Sequence, residues 1–239
     1  MKKAILISGA SLLMLSGGMA QARQICGSLG VAHDVRDNEL ILQIVEGAHF
    51  TEEVEAGGRG TSGGLAAADI HYTLATFPNH RRALEAVIRM APRYKGGTIP
   101  GMQYPSECYL ERAVRFRPDD GIVWGLYGRY LYVMGKESQA LPMFERAIAL
   151  SPDDPAINYN IGLMYAKQKQ YDKALPYAQK AYAAGFPLAG LKNMLVSARA
   201  WVEPPKSAAA DAESAAPGAA APAAAAAASS ASTEATTKQ

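Results

Sequence analysis

The chain has 239 residues, of which 49% are hydrophobic and 19% charged, and this composition predicts one or two soluble domains. Its 24 basic and 22 acidic side chains give a net charge of +2, but removing Lys2 and Lys3 with the leader described next leaves 22 basic against 22 acidic side chains. Nucleic-acid-binding proteins need surplus positive charge to neutralise phosphates, so that class is set aside.

Residues 1–22 have the pattern of a cleaved secretory signal peptide. Lys2 and Lys3 precede an apolar run from Ala4 to Leu15, which is too short to span a bilayer, and Ala20-Gln21-Ala22 forms the small-x-small site of a signal peptidase. We therefore expect Arg23 to be the N-terminus of a periplasmic or secreted protein that has no stable membrane insertion after cleavage.

Residues 23–64 are predicted to form a helical segment that ends in a glycine-rich loop. The apolar run Leu40 to Val45 continues into polar residues at helical spacing, and Thr51 is placed to cap a short second helix. Gly58 to Gly63 spells a dinucleotide-binding fingerprint, but acidic residues precede it where a strand is required. A flexible linker is therefore expected there.

The two cysteines, Cys26 and Cys108, both lie in the part predicted to be exported. An even pair in an oxidising compartment favours a disulfide, which would close a loop of 82 residues. Two unpaired thiols, one of them buried in a helix, are the alternative.

An internal repeat of 34 residues is the strongest signal in the sequence. The stretch from Leu110 to Pro118 matches the stretch from Phe144 to Pro152, with Glu-Arg-Ala and Pro identical. The same step takes Gly128 to Gly162, Ala140 to Ala174 and Ala147 to Ala181.

This pattern resembles the tetratricopeptide repeat family, a helix-turn-helix of that period. The unit from Gly121 fills the helix A positions with Trp124, Tyr127, Gly128 and Leu131, and the helix B positions with Ala140, Phe144, Ala147 and Pro152. The unit from Pro155 departs from the family with Asn158 in the Trp position. Upstream, Ser106 to Phe116 is a second helix B, and His80 to Met90 is its helix A beyond an insertion, Pro92 to Pro105.

The resemblance implies an all-α solenoid of helix-turn-helix repeats over residues 65–202. It would hold two clear repeats, one or two degenerate ones that include Leu65 to Phe77, and a C-terminal capping helix after Pro187. Residues 203–239, rich in Ala, Pro and Ser, are predicted to be a disordered tail because they can bury no face.

In this family the A helices line a concave groove that binds peptides. Asn160 matches the asparagine that family members use to hold a peptide backbone, and Arg129 and Lys167 are expected to pair with acidic groups of the ligand. The full basic clamp that some members use for C-terminal carboxylates is not present. The expected partner-binding residues are Arg129, Tyr132, Tyr159, Asn160, Leu163 and Lys167.

The sequence thus predicts a non-catalytic periplasmic scaffold that binds a peptide or helix of a partner protein, with envelope-assembly or secretion components as plausible clients. No cofactor, metal or catalytic residue is expected, since the four histidines lack metal-ligand spacing and no nucleophile motif is present. The alternative is a small-ligand- or metal-binding enzyme with its site in the N-terminal part, at His49, Glu53, Arg59, His71 and His80. A contact made by the tail is a third possibility.

Overall fold

A computed structural model of the chain describes residues 26–94 and 97–203. The predicted signal peptide and all of the predicted tail beyond Glu203 lie outside these residues. The described part is helical, with an isolated bridge between Arg59 and Leu65 and no strand. Its helices are α1 Glu39–His49, α2 Glu52–Glu55, α3 Ala66–Thr76, α4 Arg81–Met90, α5 Ser106–Phe116, α6 Gly121–Val133, α7 Glu137–Leu150, α8 Pro155–Lys167, α9 Tyr171–Ala183 and α10 Gly190–Ser197.

The helices pack as successive pairs along the chain, which confirms the predicted all-α repeat solenoid. The pairs are α1 with α3, α4 with α5, α6 with α7, and α8 with α9, while α10 packs on α8 and α9. The A helices α4, α6 and α8 also contact one another in turn, so they form one continuous layer. None of the described helices is long and apolar enough to cross a membrane.

Equivalent positions of the two clear repeats make equivalent hydrogen bonds even where the residue type differs. Trp124 Nε1 donates to the carbonyl of Pro118 at 3.0 Å, and Asn158 Nδ2 donates to the carbonyl of Pro152 at 2.9 Å. Asn158 is fully buried, so it replaces the larger family residue while still satisfying the carbonyl of the preceding loop.

Glycines in the A helices let neighbouring side chains approach the backbone. A Cβ on Gly128 would lie 2.9 Å from the ring of Phe144 in α7. A Cβ on Gly162 would lie 2.7 Å from the side chain of Leu191 in α10 and 3.3 Å from the carbonyl oxygen of Ala174. Gly128 therefore faces the ring of Phe144, and Gly162 faces α10 and the backbone of α9.

The last helix closes the open end of the stack. Leu191 and Leu195 of α10 are fully buried against the alanines of α9, among them Ala174 and Ala178. Because a helical repeat cannot bury its apolar face alone, this contact gives the final pair the neighbour it would otherwise lack.

The first described residues form an irregular segment, Cys26 to Asp34, that is fastened to α5. Cys26 and Cys108 are joined by a disulfide with a Cα–Cα distance of 5.0 Å. Beside it, Arg112 donates to the Cys26 carbonyl at 3.1 Å, and Arg115 donates to the Gly27 carbonyl at 2.9 Å.

Asp34 ends this segment in a buried polar cluster. Its carboxylate accepts hydrogen bonds from Arg36 at 2.8 Å and from Asn79 at 2.9 Å, and it is also ion-paired with Arg117. The Arg36 hydrogen bond, helped by that of Asn79, holds the pKa of the Asp34 carboxyl far below its usual range, against the opposing effect of burial. One aspartate thus connects the N-terminal segment to the loop after α3 and to the end of α5.

Candidate functional site

A small cleft opens on the layer of A helices, where α4, α6 and α8 meet. Its volume is about 30 Å³, which leaves room for about two water molecules. Such a cleft admits the tip of one side chain and is far smaller than the pockets, roughly 300–1,000 Å³, that enclose cofactors or drug-sized ligands. Its walls include Arg81 and Glu85 of α4, Leu126 and Arg129 of α6, and Ile157 and Asn160 of α8.

The sequence brings α6 and α8 together at this point because Gly125 has no side chain. A Cβ on Gly125 would lie 3.0 Å from Cγ1 of Ile157. With Leu126 and Ile157 forming an apolar floor, Arg129 and Asn160 stand on the two neighbouring walls. Two of the predicted groove residues therefore line the same cleft.

Two arginines and two carboxylates line the cleft, and they differ in whether they are engaged by a partner. Arg81 is paired with Glu85 at 3.3 Å, and Asp154 caps α8 by accepting from the Ile157 N–H at 2.9 Å. Arg129, which is half-buried, makes no ion pair or hydrogen bond with any described residue. Its guanidinium is the cation left to meet a ligand.

Asn160 is partly engaged within its own helix. Its Nδ2 donates to the Ala156 carbonyl at 2.8 Å, one helical turn earlier. The second N–H of that amide and its Oδ1 are left for another partner. One donor and one acceptor are what a peptide amide requires.

Tyr132 and Lys167 lie further along the same two helices and contact each other. The Lys167 ammonium stands 4.8 Å from the centroid of the Tyr132 ring, a cation–π distance. The Tyr132 hydroxyl is buried and has no hydrogen-bond partner among the described residues. This pair extends the surface beyond the cleft.

Tyr159 and Leu163 are placed differently from the predicted groove surface. Tyr159 is 8% exposed, and its ring centroid lies 4.5 Å from that of Phe186. Burial raises the pKa of its hydroxyl. Leu163 packs against the same C-terminal cluster. Tyr159 is thus buried in this cluster, and Leu163 is half-buried beside it.

Arg81 and Glu85 belong to the cleft but were not among the predicted residues. They lie on α4, which the repeat pattern had already placed as a helix A next to an insertion. A step of 34 residues back from the groove positions of the repeat that begins at Gly121 falls beyond α4, because an insertion separates α4 from α5, so the repeat register gives no signal for Arg81 or Glu85.

The histidines of the N-terminal part each have a different partner. His49 Nδ1 lies 2.8 Å from Asp69 Oδ1, His71 Nδ1 lies 2.7 Å from the Tyr109 hydroxyl, and His80 Nε2 lies 2.9 Å from Glu46 Oε1. These pairs are separate, and no group of three His, Cys, Asp or Glu side chains within the described residues is placed to hold a metal ion.

Glu53 and Arg59, the other two residues of the alternative N-terminal site, are linked only through a backbone group. The N–H of Arg59 donates to Glu53 Oε1 at 3.3 Å. The five residues of the alternative site therefore contact separate partners and do not converge on one site.

The glycine-rich loop before α3 is organised around Asp69. The N–H of Thr61 donates to Asp69 Oδ2 at 2.9 Å, and the Thr61 hydroxyl donates to Oδ1 at 3.1 Å. A Cβ on Gly60 would lie 2.7 Å from the same Oδ2, so the loop needs glycine there. A carboxylate of the chain itself thus occupies the backbone N–H of Thr61, a donor that a phosphate-binding loop would offer to its ligand.

The comparisons with known proteins agree with this architecture. Helices that pack in successive pairs are typical of helical-repeat proteins, and residues 127–187 match the family model described as a tetratricopeptide repeat. That segment, which begins within α6 and ends after α9, is therefore similar to tetratricopeptide repeats.

Two relatives share part of the chain. The chain is 32% identical to cilia- and flagella-associated protein 70 of Homo sapiens over 72 residues, 29% of this chain and 6% of that protein. It is 28% identical to BBSome complex member BBS4 of Xenopus tropicalis over 99 residues, 41% of this chain and 19% of that protein. The chain thus matches less than a fifth of the length of these relatives.

Proposed function

We propose that this protein is a non-catalytic scaffold of the periplasm that binds a peptide or a helix of a partner protein on its layer of A helices. The tetratricopeptide repeats support an interaction role, as these repeats are protein-binding modules. One relative is named as a member of a protein complex, which agrees with such a role. Envelope-assembly or secretion components are the proposed clients.

The periplasmic location is argued from the chain's two chemical signals of export. One is the leader pattern over residues 1–22. The other is the Cys26–Cys108 disulfide, since disulfides persist in oxidising compartments.

The observation that carries the proposal is that Arg129 and Asn160 line the same cleft. Arg129 has no counter-ion among the described residues, and Asn160 keeps a donor and an acceptor. An acidic side chain of a partner would meet the guanidinium, and a neighbouring amide would meet Asn160. The apolar floor at Leu126 and Ile157 would hold a small apolar group between them.

The experiment begins with crosslinking in the native envelope and mass spectrometry, which identify the captured partner. We expect Arg129→Ala combined with Asn160→Ala to weaken capture of that partner by about 10- to 100-fold, the size of two lost polar contacts. Helical content should not change, because neither side chain is in the buried core.

A matched control removes the same two residue types from exposed positions elsewhere. Arg146 on α7 and Asn193 on α10 lie outside the cleft, so Arg146→Ala with Asn193→Ala should leave capture unchanged. Unchanged capture by the cleft variant, or equal loss in the control, would move the binding site elsewhere. A melting temperature raised by a metal ion or nucleotide would favour the ligand-binding alternative instead.

A further inference from the structure

Acidic and basic residues are unevenly distributed between the first and the last part of the described chain. Residues 26–60 contain seven carboxylates and two arginines, and we call them the acidic end. Residues 155–203 contain six lysines and arginines and two carboxylates, and we call them the basic end. The described residues between these ends are close to balance.

The acidic end and the basic end also lie at the two ends of the described helical stack. The acidic end carries α1 and α2, which pack on α3 and α4, and the basic end carries α8 to α10, where α10 packs on the pair before it. The main helix contacts run between elements that are neighbours along the solenoid. A solenoid built in this way presents its first and last pairs at opposite extremes.

The acidic end holds carboxylates that no described cation neutralises. Asp37, Glu39, Glu52 and Glu53 are exposed, and none of them forms an ion pair within the described residues. The remaining acidic residues of this end are engaged, as Asp34 and Glu55 are by arginines. The exposed carboxylates therefore project negative charge outward.

The basic end likewise holds exposed cations that no described carboxylate neutralises. Lys169, Lys180 and Arg199 are exposed, and within the described part of the chain they have no acidic partner. Among the described residues of the basic end, Lys192 Nζ forms an ion pair with Glu203 Oε1 at 2.9 Å. Its surplus positive charge is therefore available to a negatively charged surface.

Exposed large apolar side chains are concentrated at the same two ends. Val31 is 87% exposed, Leu40 72% and Ile44 61%, while at the basic end Leu188 is 56% exposed and Val196 53%. Val202 also belongs to the basic end, whereas Leu65 and Tyr72 lie just beyond the acidic end. In the described stretch from 73 to 187, Val133 alone is comparably exposed.

This distribution has a physical cause in the repeat architecture. Each inner pair of helices buries its apolar faces against the elements before and after it, whereas α1 at the start and the closing helix α10 at the end are packed on one side only among the described helices. Apolar surface left exposed in this way favours contact with another surface. Opposite charges around the two apolar surfaces determine which contact is favourable.

We propose that the acidic end of one copy docks on the basic end of a second copy, so that the chains associate head to tail. Such an interface is heterologous, because two different surfaces of the same chain meet in it. It continues the stack of helices from one molecule into the next and covers Leu40 and Ile44 with the apolar side chains around Val196. A symmetric contact of two acidic ends would instead bring like charges together.

Sedimentation of the full chain at rising protein concentration tests this proposal. We expect association that weakens at least tenfold between low and high salt, because exposed charges are screened by salt. Reversing the acidic end with Asp37→Lys, Glu39→Lys and Glu52→Lys should give a monomer. Reversing the basic end with Lys169→Glu, Lys180→Glu and Arg199→Glu should also give a monomer.

The decisive measurement is the equimolar mixture of these two charge-reversed variants. In the mixture each reversed end meets an end of opposite sign on the other variant, so association should return. Recovery also shows that both variants are folded. If each variant is monomeric alone and the mixture remains monomeric, the proposal is wrong.

Apolar substitutions separate a head-to-tail contact from a symmetric one. Leu40→Lys with Ile44→Lys blocks the acidic end, and Val196→Lys with Val202→Lys blocks the basic end. Each blocked variant should be monomeric alone, and the mixture should stop at one-to-one dimers, because each dimer keeps only blocked ends. A wild-type chain that is monomeric at every concentration, or association lost only when the acidic end is blocked, would overturn the proposal.

Discussion

At the scale of single residues, His80 shows how one side chain connects two helices through its two ring nitrogens. Nδ1 accepts from the N–H of Ala83 at 3.1 Å and so caps α4, while Nε2 lies 2.9 Å from Glu46 Oε1 of α1. The ring also contacts Phe50 edge-on, with centroids 4.8 Å apart. An imidazole that accepts at Nδ1 and donates at Nε2 is neutral, so the contact depends on the ring staying unprotonated.

Acid is therefore expected to destabilise the fold through this residue. Burial lowers the pKa of His80, although the hydrogen bond to Glu46 opposes the shift, and burial likewise lowers the pKa of His71. The unfolded chain then binds a proton at higher pH than the folded chain. The free energy of unfolding should fall as the pH drops below about 6.5, by up to about 1.4 kcal/mol per pH unit for each histidine.

Urea denaturation at a series of pH values between 7.5 and 5 measures this dependence. His80→Asn keeps a residue that can cap α4 and removes the titrating ring, so its stability should vary less with pH than that of the wild type. His33 makes no side-chain hydrogen bond with a described residue, and His33→Asn should keep the wild-type slope. A wild-type slope in His80→Asn would show that His80 does not govern the acid response.

At the scale of elements, local sequence signals were sufficient for the helices but not for the contacts between distant segments. The helix predicted from Ser106 to Phe116 has those bounds, and Thr51 caps α2 as expected, by accepting from the Val54 N–H at 3.4 Å. Such boundaries follow from capping residues, glycine and proline within one turn of the helix end.

Contacts between residues far apart in the sequence could not be predicted from local sequence signals. Asp34 meets Asn79 and Arg117, which are 45 and 83 residues away. Ile99 lies in the insertion, which the sequence indicated only as an interruption of the repeat, yet it is fully buried in the main core. In the candidate site the repeat register predicted Arg129 and Asn160, whereas the contribution of α4 depended on how three helices meet.

The close approach of α6 and α7 gives a prediction about a single methyl group. Because a Cβ on Gly128 would lie 2.9 Å from the fully buried ring of Phe144, Gly128→Ala should force that ring to shift. Overpacking costs roughly 1–3 kcal/mol, and the better helix propensity of alanine offsets up to about 1 kcal/mol. We expect a net loss of about 1 kcal/mol in the free energy of unfolding, measured by chemical denaturation.

Gly47 in α1 provides the matched control for this substitution. A Cβ there would meet nothing within 4 Å, so Gly47→Ala should instead stabilise the protein by about 0.5–1 kcal/mol through helix propensity. Equal effects of the two substitutions would mean that the contact with Phe144 does not constrain the packing of α6 on α7.

At the scale of the whole molecule, the disulfide is a covalent bond between distant parts of a chain whose other stabilising contacts join mainly neighbouring helices. A solenoid is stabilised mainly by each pair and its nearest neighbours, so distant parts of the chain stay weakly coupled. The Cys26–Cys108 bond joins residues separated by 82 positions and so fastens the N-terminal segment to α5. Arg112 and Arg115 reinforce the same junction through hydrogen bonds to carbonyls of that segment.

Cys26→Ser with Cys108→Ser is therefore expected to lower the free energy of unfolding by about 4 kcal/mol, since a closed loop of this length restricts the unfolded chain. Reductant should bring the wild type to the stability of the double variant and should leave the double variant unchanged, as followed by urea denaturation with circular dichroism. Alkylation without reductant should leave both thiols of the native protein unmodified. Two labelled thiols, or identical denaturation curves for the oxidised wild type and the double variant, would show that this junction holds without the covalent bond.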